Sequence, residues 1–372
     1  PQTGNVIEVS YISTASTDAN GAAVFSMTTD QTATVTTITP ASGGTDRESI
    51  QEIKINAPRA FATQQRLVTA DDYTSMIQSN YSQYVKDVIA WGGNDNLPPK
   101  FGSVFVALNF IGGYSEEVQN EIKDLIRENL TDFRSIMSIE TEFVDPEIVY
   151  LRLTTSFNLD STLSTLNSEQ YKQEISDLIS TDCLTGVDTF GSIFRRSNLL
   201  SRIDDYSPAI LNSKMSVVAQ RQLNIRSYFD ELDEYHQTAG TTAPDFIERD
   251  ITVNFPFLLA TPDKDDHVII TSPFRYFNQN AIIKNELGSY KLQVFDMSGN
   301  VLVSNVGDYQ PANGEVNFRA WRMERDTVDI IKVTATPANQ STITPLRNYL
   351  FELDDDSIVM VNVERDGTKV LL

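Results

Sequence analysis

Few side chains in this sequence are of the kinds that make or break bonds near neutral pH. There are two histidines, His236 and His267, and one cysteine, Cys183. His267 follows Asp265 and Asp266, an order that would suit a metal site or a carboxylate–imidazole dyad. His236 lies in an acidic stretch, and neither histidine has a helical i, i+4 partner. A metal needs several converging ligands, so a solvated turn is the simpler reading of both. Cys183 closes an amphipathic run, where a small core or interface residue explains it better than a nucleophile does. A single cysteine also rules out an intrachain disulfide and a cysteine-based zinc site. No G-x-S-x-G elbow, Walker loop or G-x-G-x-x-G is present. Paired carboxylates could serve a glycosidase. With 51 acidic residues, however, neighbours such as Glu116–Glu117 and Asp354–Asp355–Asp356 arise by chance. The aspartate run lacks the alternating ligands and central glycine of a calcium loop. The expectation is therefore no catalytic residue, no metal and no cofactor.

Another set suits binding instead. Arg59, Phe61, Gln64, Gln65 and Arg66 precede a helix start in a segment that reads as neither helix nor strand. Arginine and aromatic side chains are favoured interface anchors, so one reading is an interface arm. The other is a loop folded on its own domain, with Phe61 buried and the arginines paired to acids. The residues leave both open.

The elements around this set are clearer. Val68-Thr-Ala-Asp-Asp-Tyr73 predicts a capped helix. Thr69 is the N-cap, Asp72 completes a capping box, and Val68 and Tyr73 have staple spacing. Tyr73, Met76, Ile77 and Tyr81 continue its apolar stripe. Strands are predicted at 85–91 and 103–110, the second buried on both sides, with a Pro-containing loop between. Ser115 should cap an amphipathic helix carrying Val118, Ile122, Leu125, Ile126 and Phe133. Strands at 136–144 and 148–159 follow, then helices from about 168 and over 193–203, and a strand over 209–222. Asp230–Pro244 reads as an acidic linker or long loop. Beyond it short strands and turns dominate, including Met297–Asn300, Ala312–Gly314 and Arg365–Gly367. Upstream, Pro1–Asp46 contains no Lys or Arg and suggests three short strands, and Arg47–Asn56 suggests a helix.

The resulting expectation is a multidomain α+β protein. Residues 1–46 form a β-rich segment, 47–144 and 145–244 two α/β units with mixed or antiparallel sheets, and 245–372 an all-β, sandwich-like domain. The opening residues do not read as a domain start, which suggests a piece of a longer protein. The net charge of −22 argues against nucleic-acid and anionic-lipid partners and suits basic protein surfaces. No stretch approaches the ~20 apolar residues of a membrane span.

Certain runs carry a resemblance. Gly43-Gly-Thr-Asp46 with Glu48-Ser49, the run Asn56–Tyr73 and the segment from Trp91 to Val106 are similar to the baseplate-J-like wedge proteins of contractile-tailed bacteriophages. Within that family the T-even branch is nearest, in its C-terminal part. The resemblance implies a non-enzymatic structural component of the virion tail, assembled in the host cytoplasm. Such a protein would self-associate, contact other wedge proteins, join neighbouring wedges into a ring and rearrange when the tail contracts. The alternative from the residues is a carbohydrate-binding or cell-wall hydrolase module. A shallow pocket with Trp321, Tyr309 and acids would support it.

Overall fold

The computed structural model describes residues 66–96, 99–112, 114–134, 139–164, 166–186, 188–239, 250–319, 321, 323 and 328–364, with eight isolated residues between 18 and 58. The strands expected within 1–46 lie outside these. Of the expected helix over 47–56, the described Ile50, Ile53 and Lys54 are helical, as are Ala57 and Pro58 beyond it.

The chain divides between Asp145 and Pro146 into two compact units. In the first, helix α1 spans Ala70–Tyr81 and opens on Thr69, whose hydroxyl accepts from the Asp72 N–H while the Asp72 carboxylate accepts from the Thr69 N–H. Tyr73, Met76, Ile77 and Tyr81 are all buried. The staple is not made: Val68 is exposed, and the preceding Leu67 is fully buried, its N–H donating to the Arg134 carbonyl at 2.9 Å. A one-residue change in phase decides which apolar side chain turns inward.

Strand β1 (Val85–Gly92) pairs antiparallel with β2 (Ser103–Phe110), and β2 pairs parallel with β3 (Glu140–Val144). Central β2 is buried from Ser103 to Leu108, as its apolar run on both faces requires. Helix α2 (Glu116–Ile126) places Ile122 and Ile126 inward, but Ser115 caps it without a side-chain hydrogen bond. The side chain of Phe133 lies outside the described residues.

In the second unit one hydrogen-bonded set of strands dominates. Long β4 (Glu147–Asp160) and β6 (Ile210–Asn224) lie antiparallel at one end. The inward face of β4 carries Val149, Leu151, Leu153, Phe157 and Leu159, as strict alternation predicts. Helix α3 (Ser168–Gly186) buries Tyr171, Ile175 and Ile179. Its cap is reciprocal: the Gln170 N–H donates to Asn167 Oδ1 at 2.8 Å and the Asn167 N–H donates to Gln170 Oε1 at 3.0 Å. The short β5 (Phe194–Arg195) leads into α4 (Arg196–Asp204), which packs on β6.

The linker expected over 230–244 is corrected over its described part, 230–239. Helix α5 runs from Ile225 to Ala239 and buries Ile225, Tyr228, Phe229 and Leu232, spaced at i, i+3, i+4 and i+7. The acids that suggested a solvated loop occupy its outer side.

The remaining strands are β7 (Ile251–Asn254), β8 (Ile269–Thr271), β9 (Phe274–Tyr276), β10 (Gln279–Asn285), β11 (Lys291–Asp296) and β12 (Val301–Gln310). They continue with β13 (Glu315–Phe318), β14 (Ile330–Ala335), β15 (Thr342–Ile343), β16 (Tyr349–Leu353) and β17 (Ile358–Glu364). The path β16-β4-β6-β14-β8-β10-β11-β12-β13-β7, with β17 on β4 and β9 on β10, gives a 12-stranded sheet. Strands from both sides of residue 244 thus share one ladder, and among the described residues it closes no barrel. Fold class is α+β, as expected.

At positive φ, Gly314 (73°) and Gly299 (89°) close the two turns expected at 312–314 and 297–300. Phe277 and Asn278, at φ 45° and 61°, turn the β9–β10 hairpin without a glycine.

Candidate functional site

Of the five binding residues singled out in the sequence, Arg66 alone is described, and it is exposed. Arg59, Phe61, Gln64 and Gln65 lie outside the described residues. The structure adds a surface a short way along the same unit. The loop after β1 turns at Gly93–Asp95 and is drawn back by the Lys100 N–H, which donates to the Gly93 carbonyl at 2.8 Å. A side chain at Gly93 would collide with the Lys100 carbonyl, so the fold requires glycine there. The loop then presents Phe101, 79% exposed, beside a shallow cleft of about 530 Å³ lined by Lys100, Ser103, Asp132, Glu140 and Thr141 among others.

Lys100 and Glu142 pair at 2.5 Å across that strand edge. The Lys100 ammonium, then Ser103, hold the Glu142 carboxyl below its usual range, and Glu142 raises Lys100 in turn. Trp91 stacks on Phe105 with ring centroids 5.8 Å apart, and its Nε1–H donates to Asn96 Oδ1 at 3.3 Å. This arrangement holds charges and an exposed ring in fixed positions; it gathers no nucleophile and base.

The acidic run at 354–356 is the other cluster. β16 and β17 both lie parallel to β4 along one edge, but Leu353 pairs with Leu151 whereas Ile358 pairs with Thr154. Four residues, 354–357, therefore face two on β4, and the surplus is looped out as a bulge. Asp354 is turned inward and nearly fully buried. Arg152 Nε donates to Asp354 Oδ2 at 2.8 Å, and its Nη2 donates to Gln220 Oε1 at 2.7 Å and to Asp356 Oδ2 at 3.1 Å. Lys332 Nζ donates to Asp356 Oδ2 at 2.8 Å and stands 3.8 Å from Asp354 Oδ1. The carboxylates are matched by two cations, so the run is an ion-pair clasp. Lys332 holds the Asp356 carboxyl low and is raised by it. On the opposite face, burial and then the Glu147 charge push the Tyr349 phenol up to about 12, with Arg221 above its ring at 5.3 Å.

The other candidates disperse. His267 Nδ1 is 2.7 Å from the Asn285 carbonyl oxygen and its ring packs edge-on to Phe295. His236 lies on α5 rather than in a loop, beside Tyr235. Cys183 is in the last turns of α3; its side chain is not among those described. Glu116 and Glu117 sit exposed in the first turn of α2. Among the described residues no group of three or more His, Cys, Asp or Glu could hold a metal ion. Tyr309 and Trp321 are 1% and 5% exposed, so neither ring offers a sugar-stacking platform. Sequence reasoning missed the Arg152–Asp354 clasp because its members lie 202 positions apart. It missed Phe101 because one aromatic before a glycine carries no pattern.

Comparison with known proteins places part of this surface in a family. Residues 69–144, from the capped start of α1 to the end of β3, match the family described as Baseplate structural protein gp6, C-terminal domain I. Over those residues the chain is similar to baseplate structural proteins, in agreement with the resemblance in its sequence. A particular relative is the baseplate wedge protein gp6 of Enterobacteria phage T4, 29% identical over 238 residues, which are 60% of this chain and 34% of the relative. The chain thus spans about a third of that relative's length. A cryo-EM structure of the anti-feeding prophage baseplate, 6-fold symmetrised, is also similar at 15% identity and a TM-score of 0.35. That similarity covers 48% of this chain and 39% of the other, and it is too loose to define a shared fold.

Proposed function

We propose that this chain acts by adhesion: it self-associates, joins neighbouring baseplate wedges into a ring, and shifts its contacts when the tail contracts, without catalysing a reaction. The match over α1–β3 carries this reading, because that unit presents Phe101 and the charged cleft. A ring that moves needs interfaces with two stable arrangements rather than a reaction centre. The partners are further copies and other wedge proteins, whose basic patches suit a chain of net charge −22, and not nucleic acid or membrane. Assembly would take place in the host cytoplasm before incorporation into the tail. Arg59, Phe61, Gln64, Gln65 and Arg66 remain the proposed contact arm.

A sedimentation dilution series should show concentration-dependent association burying more than ~1,000 Å² of specific interface. Phe101→Ser and Arg66→Ala should weaken recruitment by the remaining wedge proteins without changing the unfolding midpoint of the free chain. A monomer at every concentration, also ignored by the other wedge proteins, would refute the proposal. The competing reading, a glycan-binding or hydrolytic module, expects signal on a glycan array or turnover of peptidoglycan; the buried Tyr309 and Trp321 weigh against it.

A further inference from the structure

The loop that displays Phe101 is pinned at both ends. The Lys100 N–H holds it to the Gly93 carbonyl at 2.8 Å, and the Gly102 carbonyl accepts from the Glu140 N–H at 2.9 Å. A ring carried on a fixed loop loses little freedom when a partner covers it, so little of the gain from covering it is lost to ordering. Asp132 reaches the same cleft from the helical side of the unit. It follows a π turn over Arg127–Thr131, closed by the Asp132 N–H donating to the Arg127 carbonyl. Leu130 and Thr131 stay buried at 3% and 1% exposure, and Asp132 is the first residue to emerge. Turns of this kind are rare and collect at functional sites.

The charges of the cleft do not balance. Lys100, Asp132 and Glu140 all line it. The Lys100 ammonium is committed to Glu142 at 2.5 Å, whereas Asp132 and Glu140 are exposed and, among the described residues, unpaired. Two carboxylates and an exposed apolar ring in one shallow recess suit a cation with a flat face. A metal ion would leave the ring unused, and among the described residues no group of three or more His, Cys, Asp or Glu could hold one. A lysine ammonium is compact and strongly hydrated. A guanidinium is planar and less hydrated; it stacks on an aromatic face and donates to carboxylates through a fork. Charge also selects the donor: a second copy brings another −22, so the complementary surface belongs to a different, basic protein.

We propose that this cleft receives an arginine side chain from a different, basic wedge protein, with the guanidinium over the Phe101 ring and its N–H groups on Asp132 and Glu140. The inference rests on the adhesion reading above and names the chemistry of its partner. The test measures the affinity of the full chain for wedge particles assembled without it. Phe101→Leu keeps an apolar side chain but removes the ring, and Asp132→Asn with Glu140→Gln removes both charges at constant shape. Each should weaken recruitment at least ~10-fold with the unfolding midpoint unchanged. Glu121→Gln with Glu128→Gln removes the same charge from exposed positions outside the cleft and should leave recruitment unchanged. In a second arm the full chain is titrated with N-acetyl-arginine amide, its lysine counterpart or the neutral citrulline counterpart. The amide NMR signals of Lys100–Ser103, Glu140 and Thr141 should move most with arginine and least with citrulline. Full recruitment of the cleft variants, an equal loss in the Glu121 and Glu128 control, or an equal response to arginine and lysine would overturn the arginine assignment and leave adhesion standing. Cleft variants that lose self-association but keep recruitment would put a second copy there and overturn it too. An unmodified chain that the wedge particles never recruit would sink both readings.

Discussion

Replacing Arg152 by Met removes the cation from the best-buried charge in the second unit. Asp354 has a side-chain exposure of 4%, and it would keep Lys332 only at 3.8 Å. Breaking a buried pair by deleting one partner costs ~3–5 kcal/mol, because the surviving charge is stranded. Arg152 is itself 28% exposed and Lys332 offers partial compensation, which lowers the expected loss to ~2–3 kcal/mol. The bond to the more exposed Asp356 adds only ~0–1 kcal/mol of this. Asp354→Asn on its own should cost less, and combining the two should recover ~1–2 kcal/mol relative to the sum of the singles. The two tryptophans make the assay selective, since Trp91 lies in the first unit and Trp321 in the second. In a Trp91→Phe background, urea unfolding followed by Trp321 emission reports the second unit alone. A loss under ~0.5 kcal/mol for Arg152→Met, or strictly additive singles, would show that the clasp contributes nothing beyond two surface contacts.

Other expectations follow from single features. Thr69→Ala should destabilise the first unit by ~1 kcal/mol, and Thr69→Ser should not, measured by Trp91 emission during denaturation. Gly93→Ala should cost far more than a surface substitution, because the Lys100 carbonyl occupies the space of the new methyl; soluble yield and melting temperature report it. Leu232→Ala should cost ~2–5 kcal/mol if α5 packs as described, and close to nothing if 230–244 is a loop. For Asp356 the folded carboxyl is lowered by Lys332, so its stabilisation exists above the ordinary aspartate range and is lost as pH falls through the folded value. Lys332 is raised, so its share holds below the ordinary lysine range and is lost as pH climbs through the folded value. The pair is therefore whole between about pH 5 and 10, and Lys332→Gln should return the Asp356 titration, followed by carboxyl NMR shifts, to higher pH.

Periodicity alone was enough for α1, β2 and β4, because each buries side chains at the spacing its own geometry imposes. Tyr73, Ile77 and Tyr81 repeat at helical intervals, and Val149, Leu151 and Leu153 at the strand interval. The α5 stripe was equally regular, but its acids and the Thr/Gly-rich stretch after it dominated the reading. Composition outweighed phase there, and phase was right. Pairing was not legible. Nothing in Ile358–Glu364 announces that it will lie parallel to a strand 204 positions earlier. The clasp was hidden for the same reason: Asp354 and Asp356 read as an idle acidic run until topology brings Arg152 and Lys332 against them. The two histidines had no spacing to support a shared site, and they lie on different elements with different neighbours.

The parallel pairing of β4 with β16 and β17 has a consequence for synthesis. β4 leaves the ribosome roughly 200 residues ahead of the strands that complete its edge, an interval of about 10–40 s at ordinary elongation rates. During that interval its outward amides wait without their native neighbour, and a prematurely terminated chain never supplies one. Only a nascent chain translated through β17 can close this edge, so truncated products should stay recognisable to chaperones and proteases rather than enter a growing particle.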